Sequence, residues 1–167
     1  MAEKKYRECA GAVIFDRKGR LLVGERKDKP GAWQFPQGGL DSGETPVQAA
    51  WREMHEEVGI TESQVVLVET IEESMTYDVN GGWLAKEGFA GQRMFWTLFL
   101  LKDDVDNPAD VCNLETGVNG EPAEFTSVKF SSWDEVIGGI VQFKRACYER
   151  LAHLATPIMQ ANVRSTL

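Results

Sequence analysis

Cysteine is scarce and does not pair off. Cys9, Cys112 and Cys147 form an odd set whose spacing matches no zinc-binding pattern. A disulfide framework is therefore not what organises this chain, and free thiols fit a reducing compartment; a cytoplasmic protein is expected. Long apolar runs are lacking too. None approaches the ~20 residues of a membrane span, so no membrane partner is expected, and the charged start "MAEKKYRECAG" has no apolar stretch leading to a cleavage site. Basic residues are outnumbered, with 18 Lys and Arg against 26 Asp and Glu and a net charge of −8. Such a surface repels a phosphate backbone at long range, which argues against non-specific binding of long nucleic acid. A nucleotide or an RNA end could still enter a local basic or metal-lined pocket. Internal repeats and low-complexity segments are absent, and nothing in the pattern sets an oligomeric state.

What is present is an ordinary globular composition over 167 residues, enough for one domain that buries about 70% of its unfolded surface. "CAGAVIFD" (Cys9 to Asp16) and "RLLVGER" (Arg20 to Arg26) read as a strand hairpin about the turn "RKG". A short strand "WQF" follows the loop "KDKPGA", and a Gly-rich loop then runs to Glu44. Gln64 to Val79 reads as one long or bent strand, and Arg93 to Lys102, apolar and aromatic, as a central one. Asp103 to Gly120 is a polar loop, Glu124 to Ser132 a last strand, and Ser132 caps a short helix at "WDEV". Val141 to Ala155 is a closing amphipathic helix. Strands and helices mix without strict alternation, which predicts an α/β chain with a mixed sheet between helices.

One helix declares both of its ends. Thr45 can cap it, Pro46 suits its first position, Gln48 completes a capping box, and Gly59 stops it. Val47, Ala50, Trp51, Met54 and Val58 share the face assigned to the core. Glu53, Glu56 and Glu57 lie in an arc of roughly 100° away from that face. Like charges at i, i+4 destabilise by a few tenths of a kcal/mol, and the helix dipole disfavours anions near its C-terminal end. A solvated acidic face would tolerate this. The preceding glycines permit a second reading, in which the Gly38 carbonyl and the carboxylates hold Mg²⁺ or Mn²⁺ against phosphate oxygens and the ion offsets the repulsion.

The stretch from Gly38 to Ile60 resembles the signature of the Nudix hydrolase family. Gly38, Glu44, Arg52, Glu53, Met54, Glu56, Glu57, Gly59 and Ile60 fill its fixed positions, and Gly39 lies within the same box. The resemblance implies the Nudix fold, an α/β/α sandwich, in a single domain over residues 1–155 with a tail over 156–167. It also implies metal-assisted hydrolysis of a diphosphate linkage in a nucleotide. Glu53, Glu56 and Glu57 would be metal ligands and catalytic, helped by the Gly38 carbonyl. Arg52 would orient them through Glu44 or its neighbours.

Further stretches are similar to the branch of asymmetrical dinucleoside tetraphosphate hydrolases and RNA pyrophosphohydrolases: "PGAWQFPQGG", "TYD", "GQRMFW", "EF" and "VQFKRACYERL". By that resemblance Glu124 is a further metal ligand or base. Val141 and Phe143 would hold a nucleobase, and Lys27, Gln37, Tyr77, Arg93 and Lys144 would contact phosphate or base. Two departures bear on substrate choice. The branch's "YRPNVG" is here "YRECAG", and Met94 and Phe95 replace a polar and a basic residue, so that a phosphate contact of the branch is either lost or moved to Arg93. The expected reaction is cleavage of a dinucleoside tetraphosphate to a triphosphate and a monophosphate, with 5′-triphosphate RNA as the alternative substrate. The full set of glutamates argues against a binding module that has lost catalysis.

Overall fold

The computed structural model describes residues 3–114 and 124–164. Its centre is a pair of long strands in parallel, β1 (Tyr6–Phe15) and β7 (Gly91–Leu101), matched residue for residue from Tyr6 opposite Gly91 to Phe15 opposite Leu100. All other pairings are antiparallel. β2 (Leu21–Arg26) pairs with β1, β3 (Trp33–Gln34) and β8 (Phe125–Ser131), while β5 (Val65–Thr70) and β6 (Met75–Asp78) both pair with β7. β4 (Gln37–Gly39) joins the first half of β1, so that β1 forks: Cys9 to Gly11 face β4, and Ile14 and Phe15 face β2.

Helix α1 (Pro46–Val58) covers one face of the sheet, with Ala49, Ala50, Met54 and Val58 packed among Ile14, Leu22, Phe99 and Leu101. The opposite face is covered by α3 (Trp133–Gly139) and α4 (Arg145–Arg164), which bury Val136, Tyr148, Leu151, Ala155 and Met159 against Val13, Phe15, Trp96 and Leu98. The expected sandwich is thus present. No helix among the described residues is long and apolar enough to cross a membrane.

The ends of α1 form as their residues dictate. Thr45 Oγ1 accepts from Gln48 N (3.3 Å), Thr45 N donates to Gln48 Oε1 (2.9 Å), and Gly59 takes the left-handed conformation with φ 71°. Ser132 likewise caps α3 by accepting from Glu135 N (3.2 Å).

Several elements depart from the sequence reading. The Gly-rich loop contains β4, which no strand-forming side chain announces and which exists because β1 pairs with it. The stretch from Gln64 to Val79 is two strands, broken where Ile71 turns inward and its N–H meets the Trp96 carbonyl (2.9 Å). A short helix, α2 (Gly82–Lys86), precedes β7. The closing segment begins with a 3₁₀ turn at Gln142–Lys144, and α4 runs through the supposed tail from residue 156 to Arg164, burying Met159. Part of the expected Asp103 to Gly120 loop, residues 115–120, and the tail's last residues, 165–167, lie outside the described residues.

The largest difference concerns α1. Val47 and Trp51 are only half-buried, and Glu53 and Glu57 are buried, at 7% and 3% exposed. A helical wheel separates one covered face from one wet face. Here the sheet lies beneath α1 and β4 lies along its flank, so the supposedly wet arc is partly covered as well.

Candidate active site

The fork in β1 opens a cleft of about 1030 Å³. Gly38, Gly39 and Gln37 of β4 line it, with Arg52, Glu53, Glu56 and Glu57 of α1; Lys27, Glu124 and Lys144 approach from other elements. Each group has a local reason to be there. A Cβ on Gly38 would collide with the Glu53 carboxylate, and one on Gly39 with the Arg7 guanidinium, so the two glycines let side chains from both flanks close over β4. Gln37 N donates to Glu57 Oε2 (3.2 Å) and ties β4 to α1. Gly24 leaves room for the Phe125 ring, and Lys27 N donates to the Glu124 carbonyl (2.8 Å), which sets Glu124 at the cleft as β8 begins.

Arg52 organises the acidic wall. Its Nε and Nη2 donate to the two oxygens of Glu44 (2.9 Å each), and Nη2 also reaches the Gly39 carbonyl (2.8 Å). Its Nη1 donates to Glu53 Oε1 (2.8 Å) and Glu56 Oε2 (3.2 Å). Bonding to Arg52 holds the Glu44 carboxyl below its ordinary pKa. Glu53 goes the other way: burial raises it in spite of the neighbouring guanidinium. Glu57 is raised well above the usual range, first by burial and then by the carboxylates of Glu124 and Glu53 beside it. Its Oε1 is buried without a hydrogen-bond donor.

That orphaned oxygen and its crowded acidic neighbours fit a hard cation. Mg²⁺ needs only a few carboxylates and fills its other positions with water and phosphate oxygens. The side chains are not a finished cage, since no three Asp, Glu, His or Cys side chains among the described residues are spaced as a complete chelate. Two of the carboxylates are drawn onto Arg52 instead.

The remaining expected residues scatter. Lys144 lines the cleft with its Nζ 5.4 Å over the Tyr77 ring, and burial, then Arg26, lower its pKa. Tyr77 is buried; its hydroxyl bonds to Gln92, which does reach the cleft. Phe143 packs 5.7 Å from Tyr77 and is exposed, as is Val141. Arg93 donates to Ser74 Oγ (3.1 Å) and lies over the Tyr6 ring. Neither Tyr77, Phe143, Val141 nor Arg93 lines the cleft itself. Gly59 serves the end of α1.

Sequence reasoning missed Arg7, Arg26, Gln92 and Trp83, all of which line the cleft. Arg7 sat inside the quoted "YRECAG", but its role depends on β1 lying beside β4. Arg26 is held by Asp28 through two bonds of 2.9 and 2.6 Å.

A model of the NUDIX domain matches residues 5–151. The chain is 36% identical over 156 residues to a protein named RNA pyrophosphohydrolase from Cereibacter sphaeroides, covering 91% of each. It is 38% identical over 168 residues to one of the same name from Rhodospirillum rubrum, covering 91% of this chain and 90% of the relative. Among solved structures it is similar to a C. elegans Ap4A hydrolase in a binary complex, with a TM-score of 0.61, 20% identity, and 89% of this chain and 98% of the other covered. A second is the E. coli dihydroneopterin triphosphate pyrophosphohydrolase, with a TM-score of 0.65, 21% identity, and 88% and 97% covered. At these identities the structural likenesses speak to the fold.

Proposed function

The chain belongs to the Nudix family as a pyrophosphohydrolase, and from that premise we propose that it cuts the polyphosphate chain of a nucleotide to leave a 5′-monophosphate. The observation that carries this reading is the gathering in one cleft of four glutamates and, besides Arg52, four basic side chains, Arg7, Arg26, Lys27 and Lys144. Glu53, Glu56, Glu57 and Glu124, with the Gly38 carbonyl, would hold Mg²⁺ or Mn²⁺. When bound, such ions neutralise phosphoryl charge and acidify a water. Arg52 keeps Glu53 and Glu56 aligned from behind. The basic side chains take the outer phosphate oxygens, and Gln37, through its backbone bond to Glu57, keeps β4 against the acidic wall. The free thiols fit work in the cytoplasm.

The relatives' name favours the 5′-triphosphate end of RNA as substrate, with pyrophosphate as the second product. Dinucleoside tetraphosphates are the second reading. A net charge of −8 repels the body of an RNA more than it repels a short ligand. Turnover of triphosphorylated RNA and of diadenosine tetraphosphate with Mg²⁺, with products identified by mass, tests both. A 5′-monophosphate product is expected from each, with RNA the faster; inactivity on both would sink the proposal.

Metal and pH should be linked. Without a divalent cation, the raised carboxyls of Glu53 and Glu57 keep protons that the unfolded chain has already lost. Their contribution to stability therefore falls as pH climbs from the ordinary glutamate range, near about 4.3, through their higher folded values. A cation bound to the ionised forms reverses this. Thermal melts are expected to show a larger rise on adding Mg²⁺ at about pH 8 than at about pH 5.5; equal rises would contradict the assignment.

A further inference from the structure

Trp83 has no part in the metal wall, yet it lines the cleft and is 56% exposed. An indole left in water is an unusual use of the largest apolar side chain. Gly81 and Gly82 both take positive φ, 77° and 70°, where α2 begins, and Trp83 follows them on the exposed side. The next residue, Leu84, is buried and anchors the helix, and Phe89 N bonds back to the Leu84 carbonyl (2.8 Å).

The ring is also fixed from the side. The Arg7 guanidinium carbon stands 4.8 Å from the indole centroid, and the same guanidinium packs over Gly39, whose carbonyl accepts from Arg52. One arginine side chain thus spans the distance from the glycine strand of the acidic wall to the tryptophan. A phosphate chain lying against that wall would come within reach of Arg7, and a nucleoside attached to it within reach of Trp83.

We propose that Trp83 is the stacking surface for the substrate's nucleobase, with Arg7 joining base recognition to phosphate binding. This rests on the reading that the cleft takes nucleotides. Aromatic stacking accepts any base, so Trp83 favours substrates that carry a base over bare polyphosphates without selecting one base. Resemblance assigns that role to Phe143, which is exposed but does not line the cleft.

Two measurements on the full chain test this. In the first, AMP is titrated without metal while the indole N–H signals of the five tryptophans are followed by NMR, the Trp83 signal being identified by its loss in W83F. The Trp83 signal should move with AMP and stay still with ribose 5-phosphate; a signal indifferent to AMP, or equally moved by both, overturns the proposal. In the second, W83A should raise KM for the nucleotide substrate about tenfold, with kcat within about twofold of the parent and W83F close to the parent in KM. A KM unchanged in W83A but raised in F143A would assign the base to Phe143 instead and overturn the proposal. Should the parent chain turn over neither triphosphorylated RNA nor diadenosine tetraphosphate while AMP still moves the Trp83 signal, the substrate reading falls and the stacking role stands.

Discussion

Glu57→Gln is expected to fold, to melt higher than the parent chain in the absence of metal, and to lose about a thousandfold in kcat. The three outcomes have one cause. Glu57 is 3% exposed, its Oε1 has no donor, and the carboxylates of Glu53 and Glu124 crowd it. Ionising it there is unfavourable, so an uncharged side chain of the same shape relieves the folded state. Glutamine still accepts the bond from Gln37 N, which keeps β4 in place. It offers a divalent cation only a neutral oxygen, and several kcal/mol of charge stabilisation at the phosphoryl group go with the lost carboxylate. Steady-state kinetics and metal-free melts check the pair. Near-normal turnover would remove Glu57 from the machinery, and a lower metal-free melting temperature would mean that its charge supports the fold.

Arg52→Ala should lower stability and activity together. The guanidinium satisfies Glu44 bidentately, the Gly39 carbonyl, and one oxygen each of Glu53 and Glu56. Removing it strands several carboxylates in a partly covered wall. Breaking a fully buried pair destabilises by about 3–5 kcal/mol; Arg52 is a quarter exposed, so roughly 2–4 kcal/mol is expected after screening. That corresponds to a melting temperature lower by about 5–15 °C for a chain of this size. Mg²⁺ should recover part of the loss, because it neutralises the same carboxylates. Arg52→Lys should fall between the two, since an ammonium supplies the charge but not the planar fork that meets Glu44. Melts of both variants with and without Mg²⁺ test this, and a shift within a degree or so would show the hub to be ornamental.

The parts of this molecule legible in its sequence are those determined by neighbours along the chain. Thr45, Pro46, Gln48 and Gly59 delimit α1 through contacts no more than a few residues apart. Glu44, Arg52 and the glutamates stand at fixed offsets along the chain, which carry the Nudix resemblance and the chemistry it implies. What escaped the reading depends on distant partners. β4 is a strand because β1 lies beside it, and its sequence, Gln-Gly-Gly, has no strand preference of its own. Glu53 and Glu57 are buried because β4 shelters a helix flank that a wheel counts as wet. Arg7 and Trp83 meet across 76 positions of sequence, and no local pattern marks either of them.

Manganese titration followed by electron paramagnetic resonance asks whether the acidic wall of α1 binds divalent cations. The parent chain is predicted to bind Mn²⁺ saturably, with Mg²⁺ competing for the same sites, and the Glu53→Gln/Glu57→Gln double variant to bind it far more weakly. Equal binding by the two proteins, or no binding by the parent chain, would mean that these carboxylates are not a cation site.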